Sequence, residues 1–173
     1  IGIAEQLRLI DPGCEIMFLA SRRAVDAAIL DEVGYEYAKL DAVGFSARRA
    51  LRFFWGLFKS VKVCKTIIRP VADRAVVVSA GGFVSAPAVL AARKLCVGVA
   101  MTNVDAVPGK ANGLLGRYAD EIFVQFEATA KYFEKVRGEV TVSGCPLRGD
   151  FSGAGAEEYI AGMGLDAGKR TLV

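Results

Sequence analysis

Six short runs of β-branched and apolar residues punctuate the chain, at positions 15–19, 35–40, 75–79, 97–101, 121–125 and 140–143. Between them lie longer stretches in which apolar residues return every three or four positions, at 22–33, 46–68, 85–94, 112–118 and 128–136. The first pattern is that of strands, and the second that of helices with one apolar face. Their alternation predicts βαβ units and a parallel, doubly wound α/β sheet. Right-handed crossovers would bring the carboxyl ends of the strands, with the loops that leave them, to one edge where ligands bind.

The third strand signal carries the most chemistry. Val76-Val77-Val78-Ser79 runs into Ala80-Gly81-Gly82-Phe83-Val84 and then into a helix-compatible stretch from Ser85 to Lys94. A continuous β-branched run suits a strand buried on both faces. Two glycines allow a sharp turn and let a ligand approach the main chain. The helix that follows would point its free N–H groups and positive dipole end over that turn, where a phosphate or diphosphate fits. Two readings are open at this level: a phosphate cradle, or a tight packing corner.

Composition narrows the field. A chain of 173 residues suits one α/β domain with a sizeable core. The expected layout is a domain over 1–150, then a Gly/Ala/Asp-rich linker with a short helix near 157–163 leading into a second domain. Both ends look cut. The chain opens in an amphipathic helix (Ile3, Leu7, Ile10) and closes on Arg170-Thr171-Leu172-Val173, which reads as the start of a strand. Although 53% of residues are hydrophobic, the only long uncharged stretch, 75–92, is broken by Gly81, Gly82 and Pro87, so strand–turn–helix is preferred over a membrane span. No secretory signal is visible. With no histidine in the chain, Ser-His-Asp chemistry and imidazole metal sites are excluded within it. No metal site and no cofactor are expected. The scattered Cys14, Cys64, Cys96 and Cys145 read as reduced, apolar core residues.

The net charge of +3 is modest, but its distribution is uneven. From Ala42 to Ala72 there is no acid, while Arg48, Arg49, Arg52, Lys59, Lys62, Lys65 and Arg69 are basic. On a helix, Arg48, Arg52, Lys59 and Lys62 fall on one stripe with Trp55 among them, beside an apolar face of Leu51, Phe54, Leu57, Phe58 and Val61. This suits a surface that sits on anionic headgroups. It equally suits a core helix whose basic side is solvated, with Trp55 under arginine stems. A nucleic-acid partner is not expected, because no stacking platform accompanies the charge.

Two more loops leave the same sheet edge. Residues 102–112 form a polar segment with a Pro108-Gly109 turn and Asn112 as an expected N-cap. Asp105 in it reads either as a hydrogen-bonding partner of a sugar or as a turn aspartate. After the last strand comes Gly144-Cys145-Pro146-Leu147-Arg148, where Arg148 reads either as a diphosphate ligand, through its planar donor fork, or as a solvated linker residue.

In this order the motifs resemble the MurG family, the membrane-associated N-acetylglucosaminyltransferases that complete the lipid-linked disaccharide precursor of peptidoglycan. Ser79-Ala80-Gly81-Gly82-Phe83-Val84-Ser85-Ala86-Pro87 is similar to the family's G-G-Y-V-S-x-P turn. The run from Ala106 through Asp120 is similar to its segment after H-E-Q-N, and Gly144-Cys145-Pro146-Leu147-Arg148 to its G-N-P-V-R. Gly164-Leu165-Asp166 and the closing four residues resemble its passage into the C-terminal domain.

The resemblance implies a Rossmann-like N-terminal acceptor domain of a two-domain GT-B enzyme, inverting and metal-independent, serving cell-wall biogenesis and through it cell shape and division. It implies UDP-GlcNAc and a polyprenyl-diphosphate-linked muramyl-pentapeptide as partners. The expected location is peripheral, on the anionic cytoplasmic face of the bacterial plasma membrane. By position, Gly81, Gly82, Phe83 and Ser85 would face the acceptor, Asp105 and Arg148 the donor. Arg48, Arg52, Phe54, Trp55, Phe58, Lys59 and Lys62 would dock on the membrane.

The departures are specific. The family's first glycine-rich loop, with its histidine, would precede Ile1, so no catalytic residue is assigned. Thr102-Asn103-Val104-Asp105 stands where the family has H-E-Q-N. Phe83 replaces its tyrosine and Cys145 its asparagine. The chain alone is therefore expected to be inactive. Two alternatives stay open: a GT-B enzyme acting on another lipid acceptor, and a non-catalytic membrane-docking subunit of a two-chain transferase.

Overall fold

A computed structural model describes residues 1–41 and 50–149, with side chains in the second segment from Phe53 on. Elements follow the expected order: α1 (Gly2–Ile10), β1 (Met17–Ala20), α2 (Ala24–Val33), β2 (Glu36–Lys39), α3 (Ala50–Ile68), β3 (Val76–Ser79), α4 (Ser85–Lys94), β4 (Gly98–Asn103), α5 (Lys110–Leu115), β5 (Glu121–Val124), α6 (Glu127–Ala130) and β6 (Glu139–Val142). The helices expected at 112–118 and 128–136 each split into a short α-helix and a 3-10 turn, at Gly116–Tyr118 and Lys131–Phe133. Gly113 and Gly116 weaken helix propensity in the first. The second glycine also has a packing reason, since a Cβ there would lie 3.0 Å from the buried Phe133 ring. The short helix expected near 157–163 lies outside the described residues.

The chain forms two compact units. The larger is Ile16–Cys145; the other joins Ile1–Glu15 to the segment that begins at Pro146. In the smaller unit the Gly149 N–H donates to the Glu5 carboxylate at 3.1 Å. A Cβ on Gly2 would meet the Leu147 carbonyl oxygen at 2.5 Å.

In the larger unit every described strand pair is parallel, as expected, but the strands make two ladders rather than one: β1-β2, and β3-β4-β5-β6. Among the described residues no ladder joins β3 to β1 or β2. Val76 and Val78, on one face of β3, are exposed. The core gathers on β4 and β5, where Val99, Met101, Ile122 and Val124 are at most 2% exposed. It closes against α4 through Ala88, Val89, Ala91 and Ala92, and against α3 through Val61, Cys64 and Ile68. The alanines let α3 and α4 approach closely.

Two helix ends use one geometry with different residues. After α2, Gly34 adopts φ +70°, its N–H bonding the Asp31 carbonyl while Tyr35 N–H bonds that of Leu30. After α4, Cys96 adopts φ +57°, its N–H bonding the Arg93 carbonyl while Val97 N–H bonds that of Ala92. These are Schellman closures, which favour glycine at the left-handed position. The second corrects the reading of Cys96 as a core residue: a residue at the helix stop points outward. Cys96 and Cys145 are exposed, Cys14 is half-buried, and only Cys64 belongs to the core. Burial pushes the Cys64 thiol up to about 11.

Candidate functional site: the glycine turn and the strand ends

Parallel pairing sets Ser79 beside Met101 and Asn103 beside Val124, so the loops after β3, β4 and β5 leave one edge. At this edge Gly81 and Gly82 adopt φ +92° and +78°, a conformation that side chains resist. The two differ in surroundings. A Cβ on Gly81 would meet the Asn112 carboxamide at 2.6–3.0 Å, whereas a Cβ on Gly82 would meet nothing within 4 Å. Gly81 is thus required by packing, while Gly82 is open on its outer side. The Ser85 hydroxyl donates to the Gly81 carbonyl at 2.7 Å, and Ser79 Oγ accepts from Gly81 N–H at 3.4 Å, so the turn is braced from both flanks.

Behind the turn runs a relay of buried amides. Gly82 N–H donates to Asn112 Oδ1 at 3.2 Å, Asn112 Nδ2 donates to Asn103 Oδ1 at 2.8 Å, and Asn103 Nδ2 donates to the Asp105 carbonyl at 2.7 Å. Thr129, fully buried, donates to the Ala106 carbonyl at 3.0 Å. The relay joins the turn after β3, the end of β4, the loop carrying Asp105 and the start of α6. Sequence reasoning missed Asn103 as a site residue and took Asn112 for an N-cap. Gly109 occupies the cap instead, and Asn112 lies inside α5. The available signal was the strand end itself: an amide there faces the ligand edge and needs partners once buried.

The remaining expected residues distribute as follows. Phe83 is partly exposed and meets Phe53 of α3 edge-on, with ring centroids 6.4 Å apart. Phe53 in turn meets Phe54 at 5.5 Å, so aromatic side chains run from the glycine turn onto α3. On that helix Phe54, Trp55 and Phe58 are 59%, 75% and 55% exposed. The apolar face that groups Phe54 and Phe58 with Val61 is thus divided, with the two phenylalanines exposed and Val61 buried. The buried line is Ser60, Val61, Cys64 and Ile68, with Leu57 alongside, and the helical period places the other aromatics outward. Lys62 lies over the Phe58 ring at 4.7 Å, while Lys59 Nζ is 3.6 Å from Asp41, which also pairs with Arg22. The acid-free stretch therefore borrows a carboxylate from just outside it. Arg48 and the Arg52 side chain lie outside the described residues. Asp105 is exposed, and Arg148 is partly buried in the smaller unit.

At the other end of β4, Asp120 accepts from Val99 N–H at 2.9 Å and from Arg93 at 2.8 Å. The Val99 bond, followed by the guanidinium, holds its carboxyl below the usual aspartate value. Among the described residues, no helix is long and apolar enough to cross a membrane.

A parallel α/β unit with a glycine turn at its ligand edge is an architecture of nucleotide-sugar-dependent glycosyltransferases, and comparison with known proteins agrees. Residues 1–124 match the glycosyltransferase family 28 N-terminal domain, and the chain belongs to that family. The UDP-N-acetylglucosamine–N-acetylmuramyl-(pentapeptide) pyrophosphoryl-undecaprenol N-acetylglucosamine transferase of Rubrobacter xylanophilus is 32% identical over 95% of this chain and 48% of its own length. The enzyme of the same name from Prosthecochloris aestuarii is 31% identical over 100% and 48%, and that from Syntrophus aciditrophicus 30% over 87% and 42%. The chain thus spans somewhat under half the length of these relatives. The crystal structure of Acinetobacter baumannii MurG matches with a TM-score of 0.64 over 86% of this chain and 42% of that one, at 23% identity, a likeness of fold. The resemblance read from the ordered motifs is borne out.

Proposed function

We propose that this chain is the acceptor-side half of a GT-B glycosyltransferase that moves GlcNAc from UDP-GlcNAc to a polyprenyl-diphosphate-linked muramyl-pentapeptide. The observation that carries this reading is the braced glycine turn, open at Gly82, in a chain whose relatives bear that activity by name. Gly82 leaves room for a diphosphate oxygen to approach the main chain. The first turn of α4 adds the positive end of its dipole, which favours an anion there. Phe83 offers an apolar ring beside this anion, and Phe53 continues it towards α3. Asp105 and Arg148 are proposed on the donor side, from motif position.

The exposed Phe54, Trp55 and Phe58, with Lys62 among them, support peripheral docking on an anionic membrane at its cytoplasmic face. Each nearby cation contributes about 1 kcal/mol at such a surface. Vesicles containing phosphatidylglycerol should bind the chain, with binding falling as salt rises and falling further in Trp55→Ala; salt-insensitive binding, or none, removes the docking reading. For the reaction, Gly82→Ala in an enzyme joining this chain to a donor-binding half should raise the acceptor KM, and an unchanged KM would retire the turn as acceptor site. A second reading, the same chemistry on another lipid acceptor, is favoured by Thr102-Asn103-Val104-Asp105 in place of H-E-Q-N. Transfer to a diacylglycerol or plain polyprenyl phosphate, and none to the muramyl lipid, would select it.

A further inference from the structure

Asn103 and Asn112 are the only asparagines in the chain, and they bond to each other while 1% and 6% exposed. The relay they form has a fixed polarity. Gly82 N–H can only donate and the Asp105 carbonyl can only accept, so each carboxamide has one orientation. Reversing either one sets donor against donor or acceptor against acceptor. No side chain fits at Gly81, because the Asn112 carboxamide occupies the space a Cβ would take. The Asp105–Ala106 main chain is held as well by the Thr129 hydroxyl, which lies 3.4 Å and 3.0 Å from the two carbonyl oxygens.

We propose that Asn112 is a positioning residue for the glycine turn. Acting through Asn103, its carboxamide locks Gly82 to the Asp105–Ala106 loop, so that the loops after β3 and β4 present one rigid edge to the substrate. The consequence for turnover rests on the reading that this turn faces the acceptor diphosphate; the lock itself does not.

Asn112→Asp is the test, because it keeps shape and keeps an acceptor for Gly82 N–H but removes the donor to Asn103. The chain holds only four side-chain carboxamides, at Gln6, Asn103, Asn112 and Gln125, so their nitrogen-15 signals are separable. In the unsubstituted chain, the Asn103 and Asn112 NH2 protons should exchange with solvent about tenfold slower than those of exposed Gln6, the factor one net hydrogen bond supplies. In Asn112→Asp, the Asn103 NH2 protons should exchange about tenfold faster, because Asn103 Oδ1 has lost its donor and the carboxamide is no longer held in one orientation, while the Met101 and Ile122 amides keep their rates. Equal rates at Asn112 and Gln6, or an unchanged Asn103 in the variant, overturn the lock. In an enzyme joining this chain to a donor-binding half, Asn112→Asp should raise the acceptor KM about tenfold, leaving the UDP-GlcNAc KM and kcat nearly unchanged. A fall in kcat with both KM values constant would mean a purely structural role and overturn the positioning claim. If the unsubstituted enzyme transfers no GlcNAc, the functional reading falls, and the exchange rates still decide the lock.

Discussion

Two regions of this molecule reverse the usual placement of polar and apolar groups, in opposite senses. At the strand ends, Ser79, Asn103, Asn112 and Thr129 are polar and buried; on α3, Phe54, Trp55 and Phe58 are apolar and exposed. Each member of the buried set is hydrogen-bonded, Asn112, Asn103 and Thr129 in one relay and Ser79 to Gly81 N–H, and burial of such groups is tolerated only while the partners are present. The exposed set leaves aromatic area in water, with Phe54 edge-on to Phe53 and Lys62 over the Phe58 ring. The first region therefore defines shape and resists substitution. The second is free of fold constraints and answers to whatever covers it.

The sharpest way to test this contrast is along α3 itself. Ile68→Ala, on the inward line, should cost about 2–5 kcal/mol, and Trp55→Ala, on the outward one, no more than about 0.5 kcal/mol, measured by urea unfolding. Similar costs for both would erase the distinction. Within the turn, Gly81→Ala should destabilise by roughly 3 kcal/mol, since it adds positive-φ strain to a collision with Asn112, whereas Gly82→Ala should cost about 1–2 kcal/mol from strain alone.

The smallest effect compares the two ends of β4. Asp120, with a lowered carboxyl pKa, contributes stability that is present above the ordinary aspartate value of 3.8 and is lost as pH falls through its own lower value. The neutral relay at Asn103 carries no such dependence. Asp120 is half-exposed, so the loss should stay under about 1 kcal/mol. On acidification the amide protection of Val99, taken relative to the intrinsic exchange rate at each pH, should fall before that of Gly82, and the reverse order would contradict the assignment.

Much of this was legible in the sequence for identifiable reasons. The bounds of α4 follow from its alanine-rich run after the glycine turn, with Pro87 in the first helical turn, where proline is tolerated, and the positions of β3, β4 and β5 follow from β-branched and apolar stretches. The motif order from Gly81 to Arg148 carried the family. What escaped were features set by distant contacts. The division of the strands into two ladders depends on pairing partners that local pattern does not encode. Phe54 and Phe58 share one broad apolar face with Val61 in the sequence pattern, and only the packed line through Val61, Cys64 and Ile68 shows which part of that face turns inward. Cys96 looks apolar and buried until it is seen to close a helix where glycine would serve. Asn112 looked like a cap because its partners, Gly82 and Asn103, lie thirty and nine positions away.

Asn112 is followed by Gly113, the dipeptide in which an asparagine loses ammonia most readily, because the next nitrogen can attack its side-chain carbonyl unhindered. Here that nitrogen is engaged with the Gly109 carbonyl at 3.0 Å, and the carboxamide is held at both its oxygen and its nitrogen. The bonds that shape the turn therefore also slow its chemical ageing. Each local opening exposes the residue to deamidation, and the aspartate that results cannot rebuild the relay, so a molecule that has opened once too often keeps a lasting record of it.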